Sequence, residues 1–210
     1  MISSIINAQE YYTEAGLRLT LQKLHQTGIS GITYTTEDNL IAPLNIVSNE
    51  NLGPGISGFH NWLFAYNRFL FSSGAEIGTK NLYARISDNS KYLGTQTERR
   101  INNDRLTLGI PIEVGFLAFK SRKGKTRIYT STGLFTDITL RSKFEGYIPG
   151  HTDFTENYIR NKFVTTAPYF KLKFKFDKVC LAYTYSRLSK GFGNAKITFT
   201  ENSFSLIFNN

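Results

Sequence analysis

Twelve ionisable residues stand in stretches where polar and apolar positions alternate: Glu14, Arg18, Glu76, Lys80, Glu113, Arg127, Asp137, Arg141, Lys171, Lys173, Lys175 and Glu201. Five are acids and seven are bases. Such a set can interlock as ion pairs, and Glu113, Asp137 and Glu201 could also share general acid and base work. The three histidines, His25, His60 and His151, suit the chemistry that lipid-modifying enzymes run with Ser or Asp near a membrane boundary. That chemistry needs nucleophile, base and orienting group within hydrogen-bond reach. The spacing places no such set, and His60, close to Trp62 in an aromatic stretch, is the histidine to test. Three dispersed histidines and the lone Cys180 give no zinc-like spacing. Gly191-Phe-Gly193 lacks the strand-to-helix setting of a phosphate cradle and reads as a turn. No catalytic, cofactor-binding or metal-binding residue is assigned.

What positions the charges is a run of strands. From Arg105 to Phe144 the chain reads as a hairpin around the turn Lys120-Ser-Arg-Lys-Gly-Lys125. In its first arm Leu106, Leu108, Ile110, Ile112, Val114, Phe116 and Ala118 share one parity, and Arg105, Thr107 and Glu113 the other. In the second, Ile128, Thr130, Thr132, Leu134, Ile138 and Leu140 oppose Arg127, Ser131, Asp137, Arg141 and Lys143. Successive strand side chains face opposite ways, so each arm has an apolar face and a charged one. Leu117, Phe119, Tyr129 and Phe135 break the alternation.

Six more strands follow from the same reading. They begin near Glu14, Gly58, Phe69, Thr166, Val179 and Lys196, and the aromatic one from Gly58 to Tyr66 is apolar on both faces. The connections alternate. Asn67-Arg68, the Lys120–Lys125 turn and Asp177-Lys178 are tight, whereas polar segments at about 27–54, 87–104 and 145–164 are long, the first with room for a local hairpin. A compact soluble domain seldom carries several structureless loops beyond about 12 to 15 residues, whereas a barrel rim accepts them. The expectation is an all-β, eight-stranded antiparallel up-and-down transmembrane β-barrel, with long extracellular loops and short periplasmic turns.

Composition agrees with one such domain of 210 residues. A mean hydropathy of −0.26 does not exclude a membrane, because a barrel keeps its polar residues in lumen and loops. No run approaches the roughly 18 apolar residues of a spanning helix. Aromatics, at 14%, supply the girdles of such barrels. The net charge of +9 is spread through strands. Lys171, Lys173 and Lys175 alternate with Leu172, Phe174 and Phe176 as one strand face, and no recognition-helix pattern is present, which argues against nucleic acid. Residues 1–9 read as a signal-peptide remnant, with cleavage near Asn7-Ala8-Gln9, and residues 10–210 as the barrel domain.

The segments Gly55-Ile-Ser-Gly-Phe-His-Asn-Trp-Leu-Phe64, Leu108-Gly-Ile-Pro-Ile-Glu-Val-Gly115 and the closing Phe204-Ser-Leu-Ile-Phe208 resemble the small PorT-like or OmpA-like outer-membrane β-barrel proteins. The resemblance spans about Glu10 to Phe208. It departs at the end, where such barrels often finish on an aromatic residue and this chain adds Asn209-Asn210. It implies an integral protein of a Gram-negative outer membrane, with external loops and no catalytic residue. Its partners would be outer-membrane lipid and another outer-membrane or secretion and transport protein. The expected role is a non-enzymatic anchor or accessory subunit of a transport or secretion assembly. The alternatives are a lipid-modifying enzyme or a soluble lipocalin-like barrel with its faces inverted. An eight-stranded interior is filled by its own side chains, so the twelve charges form a lumen network and plug the barrel.

Overall fold

The computed structural model describes residues 9–27, 33–35, 41–47, 52–88, 97–147, 154–156, 164–192 and 195–209. Within them lie β1 (Gln9–Thr27), β2 (Thr33–Thr35), β3 (Ile41–Val47), β4 (Leu52–Tyr66), β5 (Phe69–Asp88), β6 (Thr97–Lys120), β7 (Thr126–Tyr147), β8 (Phe154–Glu156), β9 (Val164–Phe176), β10 (Val179–Phe192) and β11 (Ala195–Asn209). The antiparallel ladder β1–β4–β5–β6–β7–β9–β10–β11 returns to β1, so eight staves close into an up-and-down barrel without a free edge. Residues 1–8 of the expected signal-peptide remnant lie outside the described residues, and Gln9 opens β1.

The pairing sets the barrel's shape. Cross-strand partners followed once round from Gln9 pass through Tyr66, Phe69, Phe116, Thr130, Leu172, Tyr183 and Phe204. They arrive at Leu19, ten residues further along β1 (19 − 9). At about 3.3 Å per residue that stagger is about 33 Å, against a circumference of about 38 Å for eight strands about 4.8 Å apart. The strands therefore tilt by about 40°. An interior this narrow has room for side chains and little else.

Three tight connections mark one end. In Asn67-Arg68 and Asp177-Lys178 the first residue is left-handed, with φ of 58° and 53°, a conformation that Asn and Asp tolerate better than most residues. Gly124 takes φ of 70° in the β6–β7 turn. At the far end the strands run on past the expected boundaries. β5 and β6 stay paired out to Asp88 and Thr97, inside a segment expected to be loop. β3 joins the end of β5, β2 joins β3, and β8 joins the end of β7. Beyond lipid neither face of a strand has to be apolar, so the alternation that reveals a strand is lost while the hydrogen-bond ladder continues.

Which face is inside is settled by exposure. Leu19, Ile112 and Phe204 are each 60% exposed, whereas Glu14 and Lys173 are each 1% exposed. Charged side chains are almost never so buried without partners, and a soluble protein seldom exposes an apolar band of this extent. The apolar stripe points outward on every stave. The soluble reading, with apolar residues inside, is thereby overturned.

Two β-bulges adjust the alternation. Leu117 pairs with Tyr129 and Phe119 with Ile128, leaving Ala118 as an extra residue in β6. Leu117 accordingly packs inward and Phe119 is exposed outward. In β7, Leu106 pairs with Arg141 and Thr107 with Thr139, leaving Leu140 extra. Parity flips there. Arg141, expected in the lumen, shares the outer face with its partner Leu106 and is exposed.

Candidate functional site

The lumen is built in storeys that can be climbed along β1 from the turn end. Its floor is apolar: Leu63, Leu70 and Tyr129 form a buried cluster, with Tyr12, Ala65 and Leu117 against it. Lys175 stands over the Tyr12 ring at 5.1 Å, and Arg127 donates to the Tyr129 hydroxyl at 3.5 Å. Both are half-buried near the turns. Of the expected lumen cations, the structure sets these two against tyrosines.

Above the floor, Lys173 Nζ lies 2.7 Å from Glu14 Oε1. Lys173 also sits 5.3 Å from the Tyr129 ring centre. Beside this pair, Glu113 Oε2 accepts from Lys171 Nζ at 2.7 Å and from the Tyr169 hydroxyl at 2.9 Å. Donors with full or partial positive charge converge on one buried carboxylate. One wall at this height is uncharged: Phe59, Cys180, Ala182 and Ile207 pack together.

In the middle storey Arg18 Nη1 meets Glu76 Oε2 at 2.5 Å, and Ser57 donates to Glu76 Oε1 at 2.6 Å. Arg18 also donates from Nε to Ser205 Oγ at 3.3 Å. The Phe135 ring spans the next step, 5.7 Å from the Arg18 guanidinium and 4.7 Å from Lys80 Nζ. It lies over Gly109, where a Cβ would collide with the ring. In the top storey Lys80 Nζ is shared between Asp137 Oδ2 at 2.9 Å and Glu201 Oε2 at 3.2 Å. Gln22 donates to Glu201 at 2.8 Å and accepts from Arg105 at 2.6 Å.

Nine of the twelve charges singled out in the sequence thus meet in five ion pairs: Glu14, Arg18, Glu76, Lys80, Glu113, Asp137, Lys171, Lys173 and Glu201. Arg127 and Lys175 meet tyrosines, and Arg141 lies outside. Arg105, Gln22, Tyr169 and Phe135 belong to the network and were missed as members. Parity alone could have found them, because each shares the face of a charged neighbour on its own strand.

The arrangement sets opposite charges against each other inside the barrel. Among the described residues, His25 and His60 are not brought together with it. His60 is on the outer face; its cross-strand partners are Ala15 and Ala75, and its ring sits 5.2 Å from that of Trp62. His25 meets Thr200 Oγ1 at 3.4 Å. His151 lies outside the described residues. Among the described residues no group of three or more His, Cys, Asp or Glu is placed to hold a metal.

No protein-family model matches the chain, and no curated protein matches it in sequence. Among solved structures it is similar to Ail, the attachment invasion locus protein of Yersinia pestis, in complex with the heparin analogue sucrose octasulfate. That pair is 8% identical with a TM-score of 0.36 over 93% of this chain and 99% of the other. It is also similar to the translocator domain of the autotransporter NalP from Neisseria meningitidis, 12% identical with a TM-score of 0.23 over 92% and 88%. Likenesses this remote carry no argument by themselves. The chain's own ladder and burial do. Only helices and closed barrels satisfy every backbone polar group in lipid, and a closed barrel with an apolar exterior and an ionised interior is an integral outer-membrane β-barrel.

Proposed function

We propose that this protein is a non-enzymatic barrel of a Gram-negative outer membrane that serves as an anchor or accessory subunit of a transport or secretion assembly. In this reading its lumen is plugged and the segments beyond the lipid belt make the contacts, as in a PorT-like accessory barrel. One observation supports the reading: paired charged side chains project into the interior at successive storeys. A filled lumen leaves function to the rims. The paired extension of β3, β5, β6, β7 and β8 past the belt supports the same view, because it supplies a continuous backbone sheet on one side of the mouth.

The test is isolation of the tagged barrel from native outer membranes in mild detergent. A stoichiometric companion that is retained by the wild type and lost when residues 89–96 are replaced by a short Gly-Ser linker is the expected result. A stable monomer without companions or ligands of its far-end segments would sink the accessory role.

A further inference from the structure

At the tight-turn end the β4–β5 turn is tied to β6 by a backbone hydrogen bond from Leu117 N to Arg68 O of 2.7 Å, three residues before the β6–β7 turn begins. Beside this contact is a cleft of about 420 Å³ whose lining includes Arg68, Lys120 and Arg127 against a single carboxylate, Glu10. Lys120 and Arg127 are direct cross-strand partners. Like charges set opposite each other destabilise a strand pair. The bulge at Ala118 creates this juxtaposition, since if Ala118 were paired in regular register with Ile128, Lys120 would fall on the other face. The cleft lining also includes Phe69 and Phe116, which pack edge to face with ring centres 5.8 Å apart and are both exposed on the lipid side.

A three-cation cleft at the turn-end rim, with two exposed aromatic rings of the apolar belt in its lining, matches one chemical class, an amphiphile with an anionic head. Arginine guanidinium groups bind phosphate through paired N–H donors, and a lysine adds a point charge. The volume falls within the range of roughly 300–1,000 Å³ typical of small-molecule sites. We propose that this cleft binds a glycerophospholipid of the leaflet facing the tight turns. Arg68, Lys120 and Arg127 hold the phosphodiester, and the acyl chains run along the belt past Phe69 and Phe116. The site is independent of whatever the far-end segments recognise.

The experiment titrates the intact barrel, in a zwitterionic detergent, with short-chain phosphatidylglycerol and reads adducts by native mass spectrometry. A saturable single adduct is expected. The double variant Arg68→Gln/Lys120→Gln should weaken it at least tenfold, while Lys178→Gln, in the third tight turn and outside the cleft, should leave it unchanged. Inorganic phosphate at the same concentration should not displace the lipid. Both substituted cations are exposed, so folding should persist; the single variants carry the same test should the pair fail to refold. The proposal is overturned by the absence of a saturable adduct or by undiminished binding in the variants. Equal loss in Lys178→Gln would mean diffuse attraction, and displacement by inorganic phosphate would mean a free-phosphate site; either result also overturns it.

Discussion

Lys173 and Glu14 meet at 2.7 Å across the barrel, and each is 1% exposed. Their strands, β9 and β1, are not neighbours in the ladder, so the pair braces the lumen rather than a local hairpin. Removing one member of a buried ion pair costs about 3 to 5 kcal/mol, because the other charge is left desolvated, whereas an apolar pair of similar volume is often neutral. Glu14→Ala should therefore lower unfolding stability in detergent by that order. Glu14→Leu combined with Lys173→Met should recover most of the loss. Urea unfolding followed by gel mobility measures both, and a double variant as unstable as the single one would show that the charges themselves are required.

Neighbouring residues of β6 should respond oppositely. Glu113 accepts from Lys171 and Tyr169 inside, while Ile112 is 60% exposed on the lipid face. Glu113→Ala should destabilise by about 3 to 5 kcal/mol, and Ile112→Leu should stay within about 0.5 kcal/mol. Ile112→Arg should cost about 2 to 4 kcal/mol if the position lies near the bilayer midplane. Equal tolerance of Glu113→Ala and Ile112→Leu would contradict the assignment of faces.

The inside-out division was legible because lipid and a narrow lumen impose opposite demands on successive residues, and period-two alternation records them directly. Glu113 and Ile112 could be assigned to faces by counting. Counting failed at Arg141, since one extra residue, Leu140, shifts parity without any distinctive composition. It also failed beyond the belt, where the ladder of Ser87 with Glu98 persists without apolar alternation. Which acid meets which base was not legible: the partners of Lys80 lie on β7 and β11, and the ten-residue stagger decides such encounters.

The Leu140 bulge makes a direct prediction about labelling. In a Cys180→Ala background, Arg141→Cys should react readily with a maleimide probe, because residue 141 is exposed on the outer face. Thr139→Cys, at a position only 6% exposed, should react far more slowly. Deleting Leu140 should leave the order unchanged, because Arg141 then follows Thr139 directly and both keep their partners, Leu106 and Thr107. Inserting a further residue between Leu140 and Arg141 instead of deleting one, with the order still unchanged, would show that pairing with Leu106 rather than sequence spacing sets the orientation of Arg141. A reversed order after the deletion would contradict the bulge.

Conduction is the remaining test, and the storeys act as barriers in series. An ion crossing the lumen must pass the apolar floor of Leu63, Leu70 and Tyr129 and then the paired charges above it. Opening one barrier leaves the others closed. The purified wild type should therefore show no large, steady conductance in a planar bilayer, and Leu63→Ala combined with Leu70→Ala should remain silent although it thins the floor. Coupling that floor variant to Glu14→Ala and Glu76→Ala removes two braces as well, and brief, irregular openings are expected as the released Lys173 and Arg18 side chains move. A steady current through the wild type, or through the floor variant alone, would refute the plugged lumen.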